Sequence, residues 1–335
     1  MPELPDVTLY IECLRPRIVG HALVALRLPN PFVLRSVSPT VAQVTGRQVI
    51  GVERLGKRIV LALEGQDFVV IHLMIAGRLR WRTPGSGPGA PGRSAAGGDR
   101  VGGARGRGGA RDVATSAGKK IGGKLALAEF EFPTGHLWLT EAGSKRRASL
   151  TLVHGEDALL ELDRGGIEIM TAKAEDFDAM LRIENHTLKR SLTDPRLFSG
   201  IGNAYSDEIL HRAKLSPIKQ TRTLTADEVT RLYHATRTVM QEWIERLRRE
   251  TGEAFPEEVT AFRPDMAVHG KYNQPCPACD TPVQRIVFAD NETNYCPTCQ
   301  TGGKLLADRS LSRLLGQDWP RSLEDLEEQK RLRRT

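Results

Sequence analysis

An α+β chain of several domains is the fold class this sequence predicts, and three observations carry it. A helical opening gives way to short β-branched runs separated by Gly, Pro or charge, up to about residue 80 and again from 125 to 153. From about residue 174 the apolar period becomes helical, and four cysteines then fall in two close pairs near the C-terminus. At 335 residues the chain has room for two or three independent cores. The longest apolar stretch, Phe68 to Ala76, is strand-sized and interrupted by His72. No stretch reaches the roughly 18 apolar residues of a membrane span, and no basic-then-apolar signal pattern opens the chain, so a cytoplasmic protein is expected.

The first helix is read over residues 7–20. Val7, Tyr10, Ile11, Leu14 and Ile18 share one face, and Gly20 stops it. Candidate strands follow at 23–28, 48–55, 58–64, 67–73 and 78–81. Residues 83–120 then hold twelve Gly, three Pro and no aromatic residue. Burial there cannot offset ordering entropy, so this Arg-dotted insertion is expected to be disordered. Strands resume at 125–132, 136–139 and 149–153, which makes residues 1–165 one β domain bracketing the insertion. Helices at 174–183, 187–193, 204–212 and 225–249 build an α domain over 174–265, with Asp227 and Glu228 favourably placed in the first turn of the longest. A cysteine module occupies 268–301. In the tail, 302–335, Leu305, Leu306, Leu311, Leu314 and Leu315 read as a helix packed on the body.

Cys276-x2-Cys279 and Cys296-x2-Cys299, sixteen residues apart, match the spacing at which two knuckle turns close a tetrahedral zinc site. Two disulfides would suit an exported chain, for which no signal exists. Cys13, within the first helix, reads as an inert buried thiol. The net charge of +7 favours an anionic partner, yet the insertion alone carries seven basic and two acidic residues, leaving +2 for everything else. Basicity thus permits nucleic-acid binding without establishing it.

The chain begins Met1-Pro2-Glu3-Leu4-Pro5-Asp6. Removal of Met1 would leave Pro2 with a free secondary amine, an α-amino group of ordinary pKa about 7.7–8.0 and a nucleophile able to form an iminium. Glu3 beside it can donate or accept a proton at the same centre.

Read in order, Pro-Glu-Leu-Pro at the N-terminus, the β domain, Gly200-Ile201-Gly202-Asn203-Ala204-Tyr205 and the four-cysteine finger resemble the formamidopyrimidine-DNA glycosylase/endonuclease VIII family of base-excision repair enzymes. The resemblance spans nearly the whole chain except the insertion and the tail. It implies an N-terminal β-sandwich, a helix-two-turn-helix domain and a structural zinc finger. It also implies a bifunctional DNA glycosylase and AP lyase, a monomer acting on double-stranded DNA with damaged bases or abasic sites and, in a prokaryote, nucleoid-associated. In such enzymes the N-terminal proline attacks the sugar C1′, expels the base and supports strand cleavage by elimination; Pro2 and Glu3 match those roles. Lys57, in Leu55-Gly56-Lys57-Arg58, matches a turn lysine that reaches the phosphate beside the lesion. Asp6 stands where a second glutamate is usual. The 200–203 turn would present backbone N–H groups and the Asn203 amide to a phosphate, and Lys189 would face the lesion pocket.

Departures accompany the matches. Family enzymes for oxidised purines fill the hole left by the flipped base with Met, Arg and Phe. Here the matching positions are Ile75, Arg146 and Ala148, with Met74 where glycine is usual, which implies a smaller wedge and an altered lesion preference. An arginine five residues before the third cysteine is replaced by Asn291, flanked by Asp290 and Glu292. That implies a weaker phosphate contact and less δ-elimination. The altered wedge and Asn291 also fit a relative that binds damaged or abasic DNA with little catalysis; a zinc-finger interaction protein is a third reading. Pro2, Glu3 and Lys57 argue for the enzyme.

Overall fold

The structure is a computed structural model and describes residues 1–84, 125–143, 145–257, 259–260, 262–288, 291–307 and 320–332. The 83–120 insertion beyond Pro84, Asp290, and Leu311, Leu314 and Leu315 of the tail lie outside the described residues.

Helix α1 (Leu4–Ile18) begins three residues earlier than the sequence periodicity predicts. Pro5 needs no N–H partner in a first turn, and Asp6 Oδ2 accepts the Glu3 N–H at 2.9 Å in a capping arrangement. This helix feeds three cores. Val7, Tyr10, Leu14 and Ile18 enter the core of the β domain. Leu9 and Cys13 meet Leu247, and Leu4 enters the core of the helical domain. Burial pushes the Cys13 thiol pKa up, in keeping with an unreactive group.

The β domain contains β1 (Ala25–Arg27), a short helix α2 (Val41–Val44), β2 (Val49–Leu55), β3 (Arg58–Leu63), β4 (Asp67–His72), β5 (Gly77–Arg82), β6 (Ala126–Phe132), β7 (Gly135–Glu141) and β8 (Ser149–His154). They form two antiparallel four-stranded sheets, ordered β1-β6-β7-β5 and β2-β3-β4-β8. Ile59, Leu61, Val69 and Ile71 of one sheet share a core with Leu79, Phe130, Leu137 and Leu139 of the other, so the two sheets are a sandwich. Strand β3 lacks polar alternation because both its faces are covered. Its Val60 and Ala62 pack with Phe68 and Val70 beneath Leu159 and Leu162. That cover includes α3 (Glu156–Leu160), too short for its period to be read in the sequence.

The helical domain comprises α4 (Ala174–Arg182), α5 (Leu188–Thr193), α6 (Asn203–Arg212) and α7 (Ala226–Thr251) around Phe177, Leu192, Phe198, Ile201, Tyr205 and Met240. The Glu228 carboxylate caps α7 by accepting the Thr225 N–H at 2.9 Å. In the cysteine module β9 (Gln284–Phe288) and β10 (Asn291–Tyr295) form a hairpin ahead of α8 (Pro297–Thr301). The module docks on α6. Asn203 Nδ2 donates to the Glu292 carbonyl at 3.0 Å, and Asp207 Oδ2, one turn on, accepts the Asn294 N–H at 3.2 Å. Two side chains of α6 thus occupy the outer edge of β10, where another strand would otherwise pair. Glu208 adds a second clamp by accepting the N–H groups of Ala267, Val268 and His269.

In the described part of the tail, Leu305 and Leu306 lie outside any helix or strand, and the Leu306 N–H donates to Tyr295 Oη at 2.7 Å. A helix runs through the charged stretch, Leu323–Leu332, and Leu332 is exposed.

Asp207 is fully buried and also receives the Lys189 ammonium, 2.5 Å away, and His269 Nδ1. Asp207→Ala leaves that ammonium without its counter-ion and opens the β10 edge. A loss of about 3–5 kcal/mol is expected for a broken buried pair. Urea unfolding of the variant should therefore show a clearly lower midpoint, with finger residues exchanging amide protons first.

Candidate active site and nucleic-acid interface

Glu3 sits where the sandwich meets the helical domain. It is 2% exposed, and its carboxylate accepts the N–H groups of Gly202 (2.6 Å), Ala204 (2.9 Å) and Tyr205 (3.3 Å) at the N-terminus of α6. The Leu4 N–H donates to the Gly200 carbonyl at 2.9 Å beside it. Glycine is required at both ends of this contact. A Cβ on Gly202 would lie 2.5 Å from Glu3 Cδ, and Gly200, at φ +85°, would bring one to 2.7 Å from Leu4 Cβ. The family resemblance implied that this turn turns its N–H groups to a phosphate. Three of those around it are instead committed to Glu3, because a buried carboxylate at a helix N-terminus satisfies both the orphan donors and the helix dipole.

Burial pushes the Glu3 carboxyl pKa up, against the opposing pull of Lys57 and the N–H donors; Asp6 adds to the rise. The Met1 α-amino group is pushed down, chiefly by burial, with Arg78 and Lys57 adding to the fall while Glu3 and Asp6 oppose it. Pro2 is buried beside this carboxylate.

Lys57 lies in the β2–β3 turn, within the field of Glu3 and of the Met1 amino group. Burial lowers its pKa and Glu3 opposes the fall. The turn is braced from below. Arg54 donates to the Gly56 carbonyl at 2.7 Å and to Ser199 Oγ at 3.1 Å, and it pairs with Glu168, which ties the lysine turn to the residue preceding Gly200. His72, at the end of β4, pairs with Arg58 in the strand register. Burial, then the charges of Arg58 and Lys57, push its imidazole down to about 4, so it stays neutral near pH 7. The sequence reading recorded His72 only as a break in an apolar run. That break was the signal for it.

The remaining sequence candidates divide. Ile75 is 60% exposed at the β4–β5 turn, held by Met74 at φ +51°, a conformation that favours glycine. Arg146 is exposed in the β7–β8 loop, whose Arg147 and Ala148 N–H groups are fixed by Glu141 Oε2 at 2.8 and 2.9 Å. Ala148 belongs to the sandwich core and fills no DNA hole. Lys189 does not face an open pocket: its ammonium donates to the Asn203 carbonyl at 2.6 Å and to Asp207. The Asn203 amide is likewise turned to the finger. Asn291 opens β10, paired with Phe288.

The four cysteine sulfurs lie within 4.8 Å of one another. Cys276–Cys299, Cys279–Cys296 and Cys279–Cys299 are 3.9, 3.4 and 3.4 Å apart. A tetrahedral zinc with bonds of about 2.3 Å sets its sulfurs about 3.8 Å apart, so the cluster fits. The site is structural, with all four positions filled by Cys276, Cys279, Cys296 and Cys299 and none left for water. Metal analysis should return one zinc per chain. Chelation should abolish DNA binding while the sandwich signal persists, because zinc affinity is finger-folding energy.

Comparison with known proteins agrees with this arrangement. Residues 1–99 match the formamidopyrimidine-DNA glycosylase N-terminal domain, 168–253 its H2TH domain, and 273–302 the zinc finger found in FPG and IleRS. The formamidopyrimidine-DNA glycosylase of Thermus thermophilus is 32% identical over 313 residues, covering 90% of this chain and all of that protein. An uncharacterized formamidopyrimidine-DNA glycosylase-like protein of Mycobacterium tuberculosis is 39% identical over 150 residues, 45% of this chain. The crystal structure of the MutM (Fpg) protein from Thermus thermophilus superposes with a TM-score of 0.67 at 30% identity, covering 89% of this chain and 98% of that one. The Lactococcus lactis Fpg bound to DNA containing an abasic site has a TM-score of 0.69 at 22% identity, covering 89% of this chain and 99% of that one, and shares the fold. With a sandwich, an H2TH domain and a four-cysteine finger matched along its length, this chain belongs to the formamidopyrimidine-DNA glycosylase family.

Proposed function

We propose that the chain is a bifunctional DNA glycosylase and AP lyase in which Pro2 is the nucleophile. The observation that carries this reading is the buried Glu3 carboxylate held by N–H groups at the N-terminus of α6, with Pro2 buried next to it in the chain and Lys57 in the field of Glu3. The Pro2 amine, unprotonated, attacks C1′ of a damaged nucleotide, and the base leaves with the C1′–N bond electrons and a proton. Glu3 protonates the ring oxygen as the C1′–O4′ bond opens, which yields an iminium at C1′. Loss of a C2′ proton then expels the 3′-phosphate. The neutral His72 and the partly desolvated Lys57 serve the lesion phosphate, and Ile75 and Arg146 serve the space the base vacates. DNA with damaged bases or abasic sites as substrate is supported by the Lactococcus lactis Fpg crystallised on Fapy-dG containing DNA and on DNA containing an abasic site. No helix among the described residues is long and apolar enough to cross a membrane, and a cytoplasmic or nucleoid location suits the reaction.

Borohydride should trap a covalent adduct on abasic duplex, and peptide mapping should place it at residue 2. Pro2→Gly should reduce trapping by at least tenfold. An adduct at a lysine with Pro2→Gly fully active would remove Pro2 from the mechanism.

Asn291 at the start of β10 brings no cation to the hairpin. Cut duplexes should therefore end mainly in the unsaturated aldehyde of β-elimination. Asn291→Arg should raise the δ-product fraction and steepen the salt dependence of binding by about one ion. Wild-type protein giving only 3′-phosphate ends would assign the second elimination elsewhere.

A further inference from the structure

Asp6 is 2% exposed and both its oxygens are engaged: Oδ2 accepts the Glu3 N–H at 2.9 Å, and Oδ1 meets the Arg263 guanidinium at 2.8 Å. Arg263 reaches this carboxylate from the segment between α7 and the finger, 257 residues along the chain. Its side chain is 12% exposed, and its guanidinium lies 5.9 Å from the centre of the Trp243 ring. The same segment is fastened elsewhere: Glu257 pairs with Arg80 and Arg82 on β5, and Val259 is buried in the sandwich core.

We infer that Arg263 is a positioning residue for the reaction at the N-terminus, acting through Asp6 on the Pro2–Glu3 peptide. Chain ends fray unless they are tied down, whereas a nucleophile must be held about 3–3.5 Å from its target. The atom Asp6 holds is Glu3 N, bonded directly to the Pro2 carbonyl carbon. The peptide is planar, so only rotation about the Pro2 Cα–C bond separates the anchored group from the pyrrolidine ring. Asp6 does this as a buried carboxylate in the same cap as Glu3, and two like charges so placed do not both ionise without a cation. Arg263 is that cation, and its contact with Asp6 Oδ1 commits it to Asp6. Glu3 is left as the member of the pair free to exchange a proton. The distribution of charge supports the geometry. The charged groups around the start of the chain, where they act on the Met1 amine, are Glu3 at the cap of α1, Asp6 on α1, Lys57 in the β2–β3 turn and Arg78 on β5, while Arg263 and Tyr205 flank Asp6. Removing Arg263 takes a positive charge from this set, which favours the protonated amine.

The inference rests on Pro2 as nucleophile, and the wild-type adduct at residue 2 tests that reading separately. The decisive experiment compares wild type, Arg263→Ala, Arg263→Lys, Asp6→Asn and the Arg263→Ala/Asp6→Asn double variant. Each is assayed for single-turnover borohydride trapping on abasic duplex across pH, and for affinity to a duplex carrying uncleavable tetrahydrofuran. Arg263→Ala should trap at least tenfold more slowly, with its acidic limb moved to higher pH, while tetrahydrofuran-DNA affinity stays within threefold. Arg263→Lys should recover part of the rate, and the double variant should be no slower than the slower single one. A wild-type rate in Arg263→Ala, equal losses of rate and affinity, or additive effects with Asp6→Asn overturns the inference. Should Arg263→Ala fail to fold, the other single variants decide, and wild-type trapping by Asp6→Asn overturns it.

Discussion

A single buried carboxylate joins the two large domains. Glu3 ends the extended start of the chain and accepts three amide protons from the first turn of a helix two hundred residues later. Helix N-termini leave such donors unsatisfied, and carboxylates are their natural partners. The exchange is local in space and long in sequence. It ties the sandwich to the helical domain, and it holds the start of the chain in the seam between them. Glycine at 200 and 202 permits the approach, and Arg54 braces the neighbouring lysine turn against the same loop.

Helix α6 then passes the organisation on to the finger. Its N-terminus holds Glu3, while Asn203 and Asp207 on one side cap the outer edge of β10 and Glu208 gathers the amides ahead of the finger. His211, one turn further, lies 3.2 Å from Cys276 Sγ through Nε2. Hydrogen bonds to ligand sulfur orient a zinc site, so the metal module is tied to the helix that receives the Glu3 carboxylate. Lys189 belongs to this network, and that is why it is spent inside the domain.

Helix α1 has the complementary role. One helix contributes to three cores, and its first turn carries Glu3 at the cap and Asp6 three residues on. Both acids are buried, so the charges around them decide what each can do. Lys57 faces Glu3, and Arg263 faces Asp6. Asp6 stands where the family resemblance implies a glutamate. The shorter side chain reaches the Glu3 amide and an arginine from the linker at once, and the site's electrostatics follow from that pairing.

The sequence by itself determined the order of domains, the strands and long helices, and the zinc ligands, because each rests on short-range pattern. Period-two apolar runs, capped helical repeats and paired C-x2-C knuckles need only a few neighbouring residues to declare themselves. It also singled out Pro2, Glu3 and Lys57 through motif order. Element ends were less legible: α1 starts earlier because of a cap, and α3 is too short to show a period. Tertiary structure alone decided the partners. The resemblance implies DNA contacts for Lys189 and Asn203 and only a substituted glutamate position for Asp6, and nothing in the sequence singles out Arg263. Which of them meet DNA and which are consumed by buried carboxylates depends on contacts 14 to 257 residues apart. A charged side chain's role is set by what desolvates it and what pairs with it, and neither is written in its neighbours along the chain.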